Sequence, residues 1–493
     1  MRWGVGLVVA LSAACSSRSV ETSVKGPESL ENRDNGAMAD GEADKKAIAT
    51  DAVGAVVTRR IPERIDWVGI GATTGPSMNQ LSIEDELLAV EQRFGGNHGL
   101  LYFAGGPGSR GVQVAGRSAD GDTLLLTLGE LFGAATDRRT HYRSLRLEPH
   151  GPATRDAIHD GLAHALSPSS RPLLVWLAGH GGEVEELADA EVGTWGGGVW
   201  SRADLESLLS ASRRPVRLIG TQCYGAGFAE ALLSREDSCG AFAAVWTLPA
   251  SGCDPSPDAA RTSYGPFLLR AIESARDLDG DGRVGLSEAH VAAVLQVDGI
   301  DVPILSSQHL LYTKIEEEPE LSPSPDGDGL FEEAALLDEV EARLGVKPFE
   351  LSAAITAAQE AYEDAGRQDD EVAERELEAS ASARASVLSR WPELEDPWHP
   401  DFAPTLERDR EAIARHLRTD PVFEAWLVAT EARANSLDYF SQCERHLRAL
   451  VRFEVALGTM RRAALARERM PSLYERFLRL RACEREPLPS RTP

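Results

Sequence analysis

Two stretches decide the fold: Leu173–Gly182, LLVWLAGHGG, and Val216–Phe228, VRLIGTQCYGAGF. Each opens on a short, largely apolar run bounded by glycine, which reads as a strand buried on both faces. The first ends at Gly179-His180-Gly181-Gly182, and the second runs into Cys223. Working outward, Ser201–Leu209 (SRADLESLL) has helical spacing and Phe228–Leu233 begins another helix. Phe242–Leu248 (FAAVWTL) reads as the next strand and Tyr264–Ser274 as the next helix. Upstream, Trp67–Gly71 (WVGIG) is strand-like, Ile83–Phe94 (IEDELLAVEQRF) is amphipathic and Leu100–Ala104 is apolar. Gly105 to about Thr140 reads as a loop-bearing insertion around Leu124–Leu128, followed by a possible strand at Ser144–Leu147. Thr154–Ala165 is a helix with Thr154 placed to cap it. Strands alternating with helices at this spacing predict an α/β fold, a mostly parallel sheet with helices on both faces.

In an open parallel sheet, ligands bind beyond the carboxyl ends of the strands. Two such ends here carry His180 and Cys223, flanked by glycine in AGHGG and TQCYGAG. Glycine lets the backbone approach a substrate with its N–H groups free to point at it. A thiolate is a strong nucleophile near neutral pH, and a neighbouring imidazole lowers its pKa and later protonates the leaving group. A lone His or Cys at a strand end is usually structural. The two together on consecutive strands point to nucleophilic catalysis.

This ordered set resembles the caspase-like cysteine peptidases, the group that includes caspases, metacaspases and legumain. The resemblance spans roughly Asp66 to Thr313 and rests on the two quoted stretches. Supporting matches are GPATRDAI before the His strand, AVWTLPAS after the Cys and VPILSS near the end. It implies a caspase-like fold and hydrolysis of peptide bonds in a protein or peptide substrate, through an acyl-enzyme on Cys223. His180 would protonate the departing amine and then activate water, while the N–H groups of Gly181 and Cys223 would hold the oxyanion. Related bacterial sequences often have Ser-Gly after Cys-Tyr, whereas Gly225-Ala226-Gly227 follows here. The alternative is a catalytically inactive relative that binds peptide or calcium in the cell envelope. Asp85, with Glu84, starts a helix near where metacaspases keep a carboxylate for a basic P1 side chain. Acidic residues also favour any first helical turn.

Asp277–Glu288 (DLDGDGRVGLSE) fits the twelve-residue EF-hand loop without a mismatch. Asp277, Asp279 and Asp281 would supply side-chain oxygens to Ca2+, Arg283 its carbonyl and Glu288 a bidentate carboxylate, with Gly282 making the turn. Asp326-Gly327-Asp328-Gly329 lacks the closing Glu and reads as linker.

The remaining texture sets the context. Met1-Arg2, an apolar run and Leu11-Ser12-Ala13-Ala14-Cys15 read as a signal over residues 1–14. Cys15 is placed as in a bacterial lipoprotein, where it is lipidated, which predicts an exported protein anchored to the cell envelope. Residues 15–60 are polar and almost free of aromatics, a tether that cannot bury enough surface to fold. The peptidase-like region covers 61–315. An acidic, Pro- and Gly-rich linker follows at 316–330, and an all-α accessory domain rich in Ala, Leu, Glu and Arg at 331–485. The chain of 493 residues carries a net charge of −27, so it lacks the basic face that nucleic acid needs. No apolar stretch beyond residue 20 is long enough to span a bilayer, leaving the lipid as the only expected membrane contact. The sequence gives no oligomeric state. Of the six cysteines, Cys239 and Cys253 bracket a strand and pair poorly, whereas Cys443 and Cys483 could bridge the helical region.

Overall fold

The computed structural model describes residues 59–115, 122–133, 140–253, 263–315 and 329–488. The signal, Cys15, the tether through residue 58 and residues 316–328 of the linker lie outside them. The strands are β1 (Trp67–Ala72), β2 (Gly99–Phe103), β3 (Arg110–Ala115), β4 (Thr140–Ser144) and β5 (Leu173–Gly179). They continue with β6 (Glu191–Thr194), β7 (Gly198–Ser201), β8 (Val216–Gly220), β9 (Cys239–Phe242) and β10 (Ile304–Leu305). The main sheet has the order β10-β9-β8-β5-β1-β2. Its strands run parallel except β10, which is antiparallel to β9 at the edge. β3 pairs with β4, and β6 with β7, as separate hairpins.

Among the described residues, eight helices accompany the strands: α1 (Leu81–Phe94), α2 (Thr123–Phe132), α3 (Arg155–Ala165), α4 (Arg202–Ser210), α5 (Glu230–Leu233), α6 (Tyr264–Ser274), α7 (Leu286–Val294) and α8 (Ser306–Lys314). The strand alternation sorts side chains to two faces. Val68, Ile70, Val175, Leu177 and Leu218 pack on one side with Ile158, Leu162, Leu205 and Leu209 of α3 and α4. Trp67, Leu101, Leu174, Trp176 and Ile219 pack on the other with Ile83, Leu87, Leu268 and Ala289 of α1, α6 and α7. Both faces are covered, which is why the strands are apolar throughout. α4 starts in a capping box: Ser201 Oγ accepts the Asp204 N–H at 3.2 Å and the Asp204 carboxylate accepts the Ser201 N–H at 2.9 Å.

After residue 329 the described chain is helical: α9 (Phe331–Leu344), α10 (Leu351–Leu388), α11 (Phe402–Thr419), α12 (Pro421–Arg469) and α13 (Pro471–Glu484). α9 stops at Gly345, whose φ of 66° suits glycine at a helix end. α12 has Pro at its first position, and Asp420 caps it by accepting the Val422 N–H at 2.9 Å. Its 49 residues make a rod of roughly 74 Å at 1.5 Å per residue. No described helix is long and apolar enough to cross a membrane.

Four expectations are corrected. The bridge is Cys239–Cys483, with Cα atoms 6.0 Å apart, and Cys443 keeps its thiol. α13 folds back along the sheet edge, a long-range approach that spacing along the chain does not reveal. The strand expected at Phe242–Leu248 is β9, four residues long and ending at Phe242. The apolar residues after it leave the ladder, because the Ala244 and Leu248 carbonyls accept the N–H groups of Ala226 and Tyr224 instead. The Leu124–Leu128 run belongs to helix α2, capped by Asp122, rather than to a loop. Ser144–Leu147 is not a strand beyond Ser144, since the N–H groups of Arg146 and Leu147 are taken by the buried Glu84 carboxylate at 2.6 and 3.3 Å.

Candidate functional site

β5 and β8 lie side by side, and Leu177 pairs with Gly220 as their last common rung. His180 and Cys223 follow that rung by the same number of residues, so both emerge at one place on the sheet's carboxyl edge. Two glycines make this possible. Gly179 has a φ of +123°, and a Cβ on it would meet the Ala72 carbonyl oxygen at 2.0 Å. A Cβ on Gly181 would lie 1.9 Å from the Cys223 carbonyl oxygen. The His turn is therefore pressed directly onto the Cys turn.

His180 is anchored through its backbone and its ring. Its N–H donates to Ala72 O at 3.0 Å, and its carbonyl accepts the Gly193 N–H at 3.0 Å. Its Nε2 lies 2.8 Å from Met78 O and 2.8 Å from Gln80 Oε1. A carbonyl only accepts, so Nε2 carries the proton and donates, which leaves Nδ1 as the basic nitrogen of the neutral ring. Burial pushes the imidazole below its ordinary value, and the bond to Met78 opposes that shift. Met78 is the group that sequence reasoning missed, because a backbone carbonyl leaves no residue-type signal.

Cys223 is buried, and both backbone groups of Ala250 face its sulfur. The Ala250 N–H donates to Sγ at 3.3 Å, and the thiol faces Ala250 O at 3.5 Å. An N–H aimed at sulfur favours the thiolate. Tyr224 follows with a φ of +57°, a left-handed conformation that is strained for a bulky side chain. The turn is held there by the Tyr224 N–H to Leu248 O at 2.9 Å and the Ala226 N–H to Ala244 O at 3.0 Å. At Gly181, the flanking bonds are Gly182 N–H to Glu191 O at 3.1 Å and Gly193 N–H to His180 O. The Gly181 N–H thus faces away from β6, as a non-bonded position in an antiparallel ladder does.

Asp85 is already answered by a cation, since its carboxylate pairs with Arg146. Glu84 is fully buried and bonded to Arg143 at 2.5 Å and Arg146 at 3.3 Å. The carboxyl on α1 that reaches the Cys strand is Glu86. Its Oε1 accepts from Trp176 Nε1 and from Thr221 Oγ1, both at 2.7 Å. Burial pushes it up to about 7. A signal for it existed: Glu86 sits at helical spacing from Ile83, Val90 and Phe94, on the apolar stripe.

In the acidic loop, oxygens of Asp277, Asp279 and Asp281 lie within 4.8 Å of one another. This all-oxygen set suits a hard divalent cation. Arg283 donates its N–H to Asp281 at 2.8 Å. The Glu288 carboxylate is not among those grouped oxygens and accepts the N–H groups of Leu278, of Asp279 at 3.4 Å and of Gly285 at 2.8 Å.

Comparison with protein-family models and with curated proteins found no match to this chain.

Proposed function

We propose that the protein is a cysteine endopeptidase of caspase-like type. The observation that carries this reading is the meeting of His180 and Cys223 at adjoining strand ends. The ring of His180 is fixed as the Nε2–H tautomer, and Gly181 is pressed against the Cys223 backbone. The parallel sheet with one antiparallel edge supports the same reading. Cys223 attacks the scissile carbonyl, and His180 takes up the thiol proton and delivers it to the departing amine. The N–H groups of Gly181 and Cys223 receive the oxyanion. Water then hydrolyses the acyl-enzyme with His180 as base.

A peptidyl acyloxymethyl ketone tests this directly. Wild type is labelled and Cys223→Ala is not; equal labelling of both, or of neither, overturns the peptidase reading and leaves an inactive peptide- or calcium-binding protein. To receive a basic P1 side chain, Asp85 must release Arg146. Peptides ending in Arg, compared with Asp or Asn, test that preference.

Ca2+ at Asp277, Asp279, Asp281, the Arg283 carbonyl and Glu288 belongs to the same proposal, as a stabiliser of the loop between α6 and α7. Export with lipidation at Cys15 does too. The Cys239–Cys483 disulfide supports an oxidising compartment. Loss of lipid labelling in Cys15→Ala is the corresponding check.

A further inference from the structure

The Cys223 sulfur is held by Ala250, so whatever fixes Ala250 fixes the thiol. Next along the chain, the Ser251 N–H donates to the carboxylate of Asp301, which is completely buried. The other oxygen of Asp301 accepts the Tyr264 N–H at 2.7 Å, and Ser251 Oγ accepts the Ile300 N–H at 3.3 Å. The segment 248–251 is thereby stitched to the loop that follows α7. That loop is in turn held from outside the sheet layer. Arg452, a buried residue of α12, donates Nε to Asp301 O at 2.7 Å, Nη1 to Val297 O at 2.6 Å and Nη2 to Gly299 O.

We propose that Arg452 of the helical segment is a positioning residue for the Cys223 thiol, acting through the 297–301 loop, Asp301 and the Ala250–Ser251 backbone. It touches no substrate. Its planar fork satisfies three carbonyls at once, those of Asp301 and Val297 buried and that of Gly299 part-buried, a geometry that a lysine ammonium does not reproduce. Without it the carbonyls are orphaned, the loop relaxes, Asp301 shifts and the Ala250 N–H withdraws from sulfur. The helical segment is then part of the reactive centre rather than an appendage to it. The proposal rests on Cys223 being the reactive thiol, and its test does not require turnover.

The measurement is the pH profile of Cys223 alkylation by iodoacetamide in the full-length protein, followed on the Cys223 peptide by mass spectrometry. A hydrogen bond to the charged form lowers a thiol pKa, so its loss raises that pKa. Arg452→Met should react about three- to tenfold more slowly at pH 6.5 and recover near pH 9, with Arg452→Lys in between. The control is Arg476→Met, which removes another contact of the helical segment, Nη2 to Leu233 O at 3.1 Å. It should leave the profile unchanged. An unaltered profile in Arg452→Met, or an equal shift in the control, overturns the proposal. Should Arg452→Met fail to fold, Asp301→Asn takes its place under the same two outcomes. Absent ketone labelling of the wild type together with the expected alkylation shifts would sink the peptidase reading and leave the positioning role standing.

Discussion

The two ends of the helical segment are built differently. At the near end, Met460, Ala463, Ala466, Phe477 and Leu480 of α12 and α13 share a core with Leu233, Leu310 and Leu311 beside the sheet. Buried charge runs through it: Arg481 pairs with Glu333, and Glu484 accepts from Ser306 Oγ at 2.7 Å and from the Ser307 N–H at 2.8 Å. At the far end, Trp426, Val387 and Trp391 pack with Leu124, Leu128 and Leu131 of α2. Leu377, Leu427, Val428, Leu437 and Tyr439 stay exposed there. One continuous helix, α12, belongs to both regimes. Composition divides this chain at the linker, but packing divides it part-way along α12.

The largest test of that division is Arg481→Ala, which leaves Glu333 and Glu484 buried without their cation. It should cost about 3–5 kcal/mol in urea unfolding and loosen the sheet with it. Trp426→Ala at the far end should cost about 3 kcal/mol. It should still leave Cys223 labelling within twofold of wild type; a larger change there would erase the distinction between the ends. Cys239→Ser should cost about 2–3 kcal/mol more under oxidising conditions than in reductant, where only the hydroxyl buried in place of the thiol remains.

A pH experiment separates the sheet's own buried groups from these contacts. Glu86 is raised to about 7 from an ordinary 4.5, so between those values the unfolded chain releases a proton that the folded chain keeps. Stability from this group is present below about 4.5 and lost as pH rises through 7. Glu86→Gln should flatten the fall in unfolding free energy across that window, and an unchanged slope would reject the assignment. The smallest effect belongs to the acidic loop, where Arg485 Nε lies 3.8 Å from Asp279 at the end of α13. Millimolar Ca2+ should add about 1 kcal/mol, read as a rise in melting temperature that EDTA reverses and Asp281→Ala removes.

Local signals carried much of the fold. The apolar runs of β5 and β8, the glycines around His180 and Cys223 and the 264–274 helix stand where residue pattern and spacing put them. The failures are long-range. Cys483 meets Cys239 only because α13 turns back on the sheet, and nothing near either cysteine encodes that return. Glu84 and Arg146 answer each other across the sequence, which erased a strand that alternation alone suggested. In the candidate site, the side chains were legible and the backbone was not. Met78 O and the Ala250 N–H act through groups every residue possesses, so only their placement distinguishes them.

The Cys239–Cys483 bridge also closes a covalent ring, since the two residues are 244 apart in sequence. The ring contains all of the chain from 239 to 483, linker included. A single cut anywhere inside it opens the ring without releasing a fragment. A nicked molecule would migrate as one species on a gel until reductant separates its two pieces. Proteolytic processing within that span can therefore alter the protein's freedom to rearrange while leaving its two parts held together.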